Sequence, residues 1–149
     1  MKKILVLLNT IILIGIFGYF VKEEENNLKK KTFYIKTAPI DPRSLLQGDY
    51  MILNYEILED VRKEGAELKK GYIRVKINNL KVAEFLRIDE EYNPSKNEEI
   101  SILFHKNDSN IEIGVNSYLF QEGTGNKFQR AQYAEVIELK NGKLRLKSL

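Results

Sequence analysis

The segment Gly48-Asp49-Tyr50-Met51-Ile52-Leu53-Asn54-Tyr55 carries the clearest structural pattern in this chain of 149 residues. Gly and Asp are typical turn residues, and the residues after them are rich in aromatic and branched side chains, which favour strands. The pattern predicts a turn that leads directly into a strand over residues 49–57. Successive side chains of a strand point to opposite faces, so alternate residues share one face. The face that we expect to be buried consists of Met51, Leu53, Tyr55 and Ile57, and the opposite face consists of Tyr50, Ile52, Asn54 and Glu56.

The residues before this strand predict a helical turn and, before that turn, another strand. Asp41 followed by Pro42 suits the start of a helical turn, because Asp caps free backbone N–H groups and Pro is tolerated at the first helical position. Gly48 would end that turn. Residues 33–37 read as the first strand of the domain.

The rest of the chain is dominated by short segments with the two-residue period of strands. Within residues 72–78 we expect Ile73, Val75 and Ile77 inside and Arg74 outside. Asn78-Asn79 and Asn141-Gly142 are predicted hairpin turns, and the second is the stronger signal. Residues 58–71 are ambiguous and allow a short helix. The further predicted strands cover residues 81–88, 100–106, 111–120, 133–139 and 143–147. Eight short strands predict an all-β fold, an antiparallel sandwich or a barrel-like domain.

The first residues of the chain predict a membrane anchor. The apolar run Ile4–Val21 covers 18 residues, or about 27 Å of helix, which is close to the thickness of a bilayer core. The alternative is a cleaved signal peptide, which requires a short apolar region and a small-x-small site. This run is long, and no such site follows it. We therefore expect an uncleaved anchor at residues 1–22, a charged linker or helix extension at 23–31, and a β domain at 32–149.

The string G-D-Y-x-x-L-x-Y, combined with the anchor, resembles the signature of the GDYXXLXY family of small membrane-anchored bacterial proteins. A second region, Glu122-Gly123 and Ala131-Gln132-Tyr133-Ala134-Glu135, is similar to the family's other conserved region. Gln132 stands where we expect Arg, with Arg130 nearby as a substitute. The resemblance implies an architecture and an extracytoplasmic domain. It implies no activity, because the family has no assigned chemistry.

The lysines around the apolar run leave the orientation open. Lys2 and Lys3 precede it, whereas Lys22 and residues 29–31, all Lys, follow it. Counted literally, the positive-inside rule slightly favours a cytoplasmic domain. An apolar segment directly after Met-Lys-Lys behaves instead as a signal anchor. Together with the resemblance, this leads us to expect a single-pass protein of the inner (cytoplasmic) membrane with its domain outside the cytoplasm.

Composition argues against several kinds of site. The formal charge is only +3 and the charges are interleaved along the chain, which does not indicate nucleic acid binding. The absence of cysteine excludes disulfides, thiol catalysis and thiolate metal sites. His105 is the only histidine, so neither a catalytic triad nor a His-rich metal site can be built. Gly123-Thr124-Gly125 lacks the residues of a phosphate loop. We predict no catalytic, metal-binding or cofactor-binding residues.

The turn and strand around the motif are the best candidate for a binding site. Loops between firm strands often carry binding residues, and we expect this one to bind another membrane protein. The scaffolding alternative is that Asp49 pairs with Arg43 and merely locks the turn. The candidate binding residues are Asp41, Arg43, Gly48, Asp49, Tyr50, Leu53 and Tyr55.

An enzyme of the anchored hydrolase type, acting through Asp41 and Asp49, is the competing interpretation. Bacterial signal peptidases are similar in having an anchor, a β-rich domain and a nucleophilic serine upstream of Gly-Asp. With Gly48-Asp49 in register, that serine position falls on Ile40, which cannot attack a carbonyl. The resemblance therefore allows at most a non-catalytic relative.

Overall fold

A computed structural model describes residues 2–28, 32–38, 50–64, 67–94, 96, 98–108, 110–121, 124, 127–128 and 130–149. The chain divides into two compact units, Met1–Lys30 and Lys31–Leu149. Asp41, Arg43, Gly48 and Asp49 lie outside the described residues.

The first unit is helix α1, Lys2–Leu28. Its segment Lys2–Glu24 is long and apolar enough to cross a membrane. The apolar side chains described along it are exposed within the unit, as in a segment that meets lipid rather than a protein core. Thr10 donates its hydroxyl to the carbonyl of Val6 at 3.0 Å, so this polar group is satisfied inside the helix. The helix continues beyond the apolar run through residues 22–28.

The second unit is built from short antiparallel strands and one short helix, α2, Ile57–Lys63. The strands in the described part of the chain are β1 (Thr32–Lys36), β2 (Tyr50–Ile52), β3 (Lys70–Ile77), β4 (Ala83–Asp89), β5 (Glu99–Asn107), β6 (Asn110–Glu112), β7 (Ser117–Leu119), β8 (Tyr133–Glu138) and β9 (Leu144–Ser148). They form three sheets with the strand orders β1-β8-β9, β2-β7 and β4-β3-β5-β6. The predicted class, an N-terminal helix followed by an antiparallel all-β domain, is confirmed.

Strand β1 connects the three sheets. Along one edge it pairs with β8 over its whole length. Along the other edge, the Tyr34 amide donates to the Lys81 carbonyl at 2.8 Å, next to β4. Further along that edge, the Ala38 amide donates to the Asn54 carbonyl at 2.9 Å, just beyond β2. Backbone hydrogen bonds from β1 and from Ala38, just beyond its end, therefore join the sheet β1-β8-β9 to segments next to the other two sheets.

The alternation predicted for the motif strand is correct, but the strand is shorter than predicted. Met51, Leu53, Tyr55 and Ile57 are all buried, and the residues between them are exposed. The regular strand ends at Ile52, and α2 begins at Ile57. Ile57 was predicted as a strand residue because it continues the two-residue period. It also fits a helix, since Ile57, Leu58 and Val61 share one buried helix face.

The predicted strand over 111–120 is two strands. Gly114 adopts φ +77° between β6 and β7 and redirects the chain. As a result β6 pairs with β5, whereas β7 pairs with β2. The predicted hairpin at Asn141-Gly142 is confirmed, with φ of 59° and 73° at its two central residues.

Arg74 was predicted to face outward into solvent and is instead buried, with 2% of its surface exposed. Its Nε lies 3.3 Å from Oδ2 of Asp89 and 3.8 Å from Oε2 of Glu99, so the charge is paired on both sides. The outward face of β3 is covered at this point by the segment after β4. Ser101, opposite Arg74 in the ladder, donates its hydroxyl to the Asn93 carbonyl at 2.6 Å.

Replacing Leu53 with alanine should destabilise the protein by about 2–5 kcal/mol, because it opens a cavity at a side chain that is 2% exposed. The exposed neighbour provides the control, and Ile52→Ala should change stability little. Urea unfolding of the full chain in detergent, monitored by circular dichroism, gives the unfolding free energies of both variants. Equal midpoints for the two variants would show that the face assignment is wrong.

Candidate functional site

The motif strand forms a two-stranded ribbon with β7. In this ribbon Tyr50 lies opposite Leu119, Met51 opposite Tyr118, and Ile52 opposite Ser117. The Leu53 amide extends the pairing by donating to the Asn116 carbonyl at 2.8 Å. The antiparallel register fixes which side chains of the motif point inward and which point outward.

The inward face of the motif is part of the core. Leu53 and Tyr55 are fully buried, and the Tyr55 hydroxyl donates to the Val115 carbonyl at 2.6 Å. This bond joins the end of the motif to the segment between β6 and β7. Burial raises the pKa of Tyr55 well above its ordinary value, so the phenol stays protonated as a donor. Both residues were candidates for binding, and their position in the structure is that of a scaffold.

The outward face of the ribbon exposes large apolar side chains. Tyr50 is 44% exposed, Ile52 54% and Leu119 77%. Tyr50 and Leu119 are direct cross-strand neighbours, a relation that places Cβ atoms about 4.5–5.5 Å apart. Tyr50, Ile52 and Leu119 are called the ribbon face below. Of the predicted binding residues that the structure describes, only Tyr50 belongs to it.

Thr37 connects the motif to residues 131–132 before β8, a role that the sequence did not reveal. Thr37 follows β1, is buried, and pairs with Tyr55 across an antiparallel bridge. Its amide donates to the Gln132 carbonyl at 3.0 Å, and its hydroxyl donates to the Ala131 carbonyl at 2.7 Å. A strand-end Thr with an ordinary period-two context carries no sequence signal for such a contact.

The second region acts mainly through its backbone and its buried Ala134. The side chains of Arg130 and Gln132 are exposed, and the Gln132 backbone carbonyl supports β1 as described above. Glu135 accepts hydrogen bonds from Lys147 Nζ at 2.9 Å and from Ser148 Oγ at 2.8 Å. Those bonds, with the one from Lys147 the stronger, hold the pKa of the Glu135 carboxyl below its ordinary value. This pair ties β8 to β9.

A catalytic interpretation requires clustered acidic or metal-ligating side chains. Among them, no group of three or more His, Asp or Glu side chains is placed to hold a metal ion. His105 is exposed on β5. A shallow groove of about 280 Å³ is lined by Tyr34, Leu80, Val82 and Tyr133, none of which is acidic. The competing hydrolase would act through Asp41 and Asp49, which lie outside the described residues.

Comparison with models of known protein families shows which family the chain belongs to. The model of the GDYXXLXY protein family matches residues 12–149. The chain belongs to the GDYXXLXY family. No match was found among curated proteins or among solved structures. In this GDYXXLXY protein the match begins within α1 and continues through β9, so it includes the later part of the helix, the motif and residues 122–135.

Removing the Tyr55 hydroxyl should destabilise the protein at neutral pH by about 1–3 kcal/mol, because Tyr55→Phe leaves the buried Val115 carbonyl without its donor. Tyr50→Phe, on the exposed face, is the control and should have little effect. Denaturant unfolding at pH 7 measures both.

Tyr55→Phe should also change how the stability of the protein depends on pH in the alkaline range. The pKa of Tyr55 is higher in the folded protein than in the unfolded chain, where it is about 10. The buried phenol therefore contributes fully to the free energy of unfolding below about pH 10, and this contribution is lost as the pH rises above that value. Wild-type stability should therefore fall more steeply above pH 10 than that of Tyr55→Phe, by at most about 1.4 kcal/mol per pH unit. Parallel alkaline slopes would contradict the buried, protonated phenol.

Proposed function

We propose that this GDYXXLXY protein is a single-pass, membrane-anchored interaction module without enzymatic activity, whose β domain lies outside the cytoplasm at the inner membrane. Its task is to bind another membrane protein, with the ribbon face and the turn predicted from sequence over Asp41–Tyr50 forming the contact. The proposal rests on two features: α1, which is suited to crossing a bilayer, and an apolar surface on the motif strand.

The ribbon face carries the proposal. Three large apolar side chains are exposed side by side on a ribbon whose other face is anchored in the core. Exposed apolar clusters on a folded domain are typical of surfaces that bind a partner. The ribbon is also held rigidly, because Leu53 and Tyr55 fix its inner side through packing and the bond to Val115. A prearranged surface loses less conformational entropy on binding.

The chemistry of this surface indicates an apolar partner surface with a polar rim. Tyr50 adds a phenol hydroxyl to an apolar ring, a combination that is enriched at interfaces. At the end of the motif, Lys36 Nζ and Glu56 Oε2 form an exposed ion pair at 3.1 Å. The three residues of the ribbon face carry no charge, so binding there would not leave one of their side chains as a buried, unpaired charge.

The orientation is tested with single cysteines, since the native chain has none. Lys143→Cys, in the exposed turn before β9, should react with a membrane-impermeant maleimide in cells whose outer envelope has been permeabilised. Lys2→Cys, at the opposite end of α1, should react only after the inner membrane is lysed. The reverse pattern would place the domain in the cytoplasm.

The partner contact is tested by photocrosslinking of the full-length protein in its native membrane. A photoreactive residue at Ile52 should give a discrete adduct with an integral membrane protein, identified by mass spectrometry. The same residue at the exposed Lys143 should not give it. Adding Leu119→Asp, which places a charge beside Tyr50 on the ribbon face, should abolish the adduct without changing the melting temperature. An Ile52 adduct that survives Leu119→Asp, or that forms equally from position 143, would contradict the proposal.

A further inference from the structure

A second exposed apolar surface lies on the β domain, distinct from the ribbon face. Tyr34, Leu80, Val82 and Tyr133 surround the shallow groove of about 280 Å³. Leu80 is 78% exposed and Tyr133 is 39% exposed. These four residues are called the apolar platform. Leu80 is the outermost of them, at the tip of the hairpin between β3 and β4.

Hydrogen bonds at the hairpin tip hold Leu80 away from the core of the domain. The Asn78 side chain accepts hydrogen bonds from the amides of Leu80 at 2.9 Å and Val82 at 3.0 Å. Lys81 adopts φ 62°, a left-handed conformation that is uncommon for residues other than glycine. Its carbonyl accepts the Tyr34 amide at 2.8 Å, which fixes the tip against β1. A large apolar side chain is thus displayed on a rigid, hydrogen-bonded support.

One residue of the platform, Tyr34, follows the end of α1 by only six residues. Only residues 29–31 separate Leu28 from Thr32, and this stretch reaches at most ~14 Å. Tyr34, which contacts the tip, is two residues further, or about 7 Å along the strand. The connecting residues 29–31 are all Lys. Lys81 adds an exposed positive charge at the tip beside Leu80.

We propose that the apolar platform rests on the lipid–water interface of the membrane that α1 spans, an inference that depends on the proposed anchoring. Leu80 enters the boundary between headgroups and acyl chains. Tyr34 and Tyr133 lie at headgroup level, where amphipathic rings are favoured. Lys81, exposed beside Leu80, attracts anionic headgroups, because basic side chains near the surface are drawn to the negative potential of the membrane. Apolar, aromatic and basic side chains thus occur together at the hairpin tip and its groove.

Site-directed spin labelling of the full chain tests this directly. Leu80→Cys and Leu119→Cys are a matched pair, since their native leucines are 78% and 77% exposed in the structure. Ile12→Cys, within α1, reports the anchor itself. Each labelled protein is reconstituted in vesicles of phosphatidylcholine and phosphatidylglycerol. The collision rates of the label with oxygen, which partitions into lipid, and with a water-soluble nickel chelate are then compared.

The label at position 80 should show a ratio of oxygen to nickel collisions several-fold above that at position 119, which should remain water-like. Water-like values at both positions with a lipid value at position 12 would overturn the platform and leave the anchoring intact. Equal lipid values at 80 and 119, or shielding of position 80 from both reagents, would also overturn it. A water-like value at position 12 would instead remove the anchoring, and with it this inference.

Discussion

Strand β1 forms backbone hydrogen bonds along both edges, and the rest of the domain depends on this sharing. One edge pairs with β8, and the other contacts first the β3–β4 hairpin tip through Tyr34 and then the motif segment through Ala38. Each bond adds only about 1 kcal/mol net, but a buried backbone group left without a partner costs roughly 1–3 kcal/mol. Displacing β1 would break its bonds to β8, to the hairpin tip and to the motif segment, so the links between the three sheets depend on this strand.

The same arrangement explains how a short motif serves both fold and surface. Leu53 and Tyr55 point inward, where Tyr55 binds the Val115 carbonyl and pairs with Thr37. Tyr50 and Ile52 consequently point outward, because neighbouring strand residues alternate. The core contacts fix the register of the ribbon, and the register fixes the exposed face. A one-residue slip would bury the ribbon face and expose the core residues.

The sequence predicted what local patterns determine and missed what distant residues decide. The faces of residues 50–57 follow from a two-residue period, and the Asn141-Gly142 turn follows from its tolerance of positive φ. The pairing of β7 with β2 depends on residues far apart in sequence, so periodicity could not reveal it. The burial of Arg74 could not be predicted from local sequence, because its carboxylate partners come from β4 and β5. Of the candidate site, the sequence identified Tyr50, whereas Leu119 and Thr37 join it only through tertiary pairing.

Native-state amide hydrogen exchange tests the central role of β1 most directly. The amides of Tyr34, Ala38 and Leu53 bond to the hairpin tip, the motif segment and the segment before β7, respectively. If β1 unites the sheets, all three amides should exchange only through global unfolding, with opening free energies equal to the unfolding free energy from denaturation. If the Leu53 amide instead exchanges at a clearly lower free energy than the Tyr34 amide, the ribbon opens independently and β1 does not hold the three sheets together.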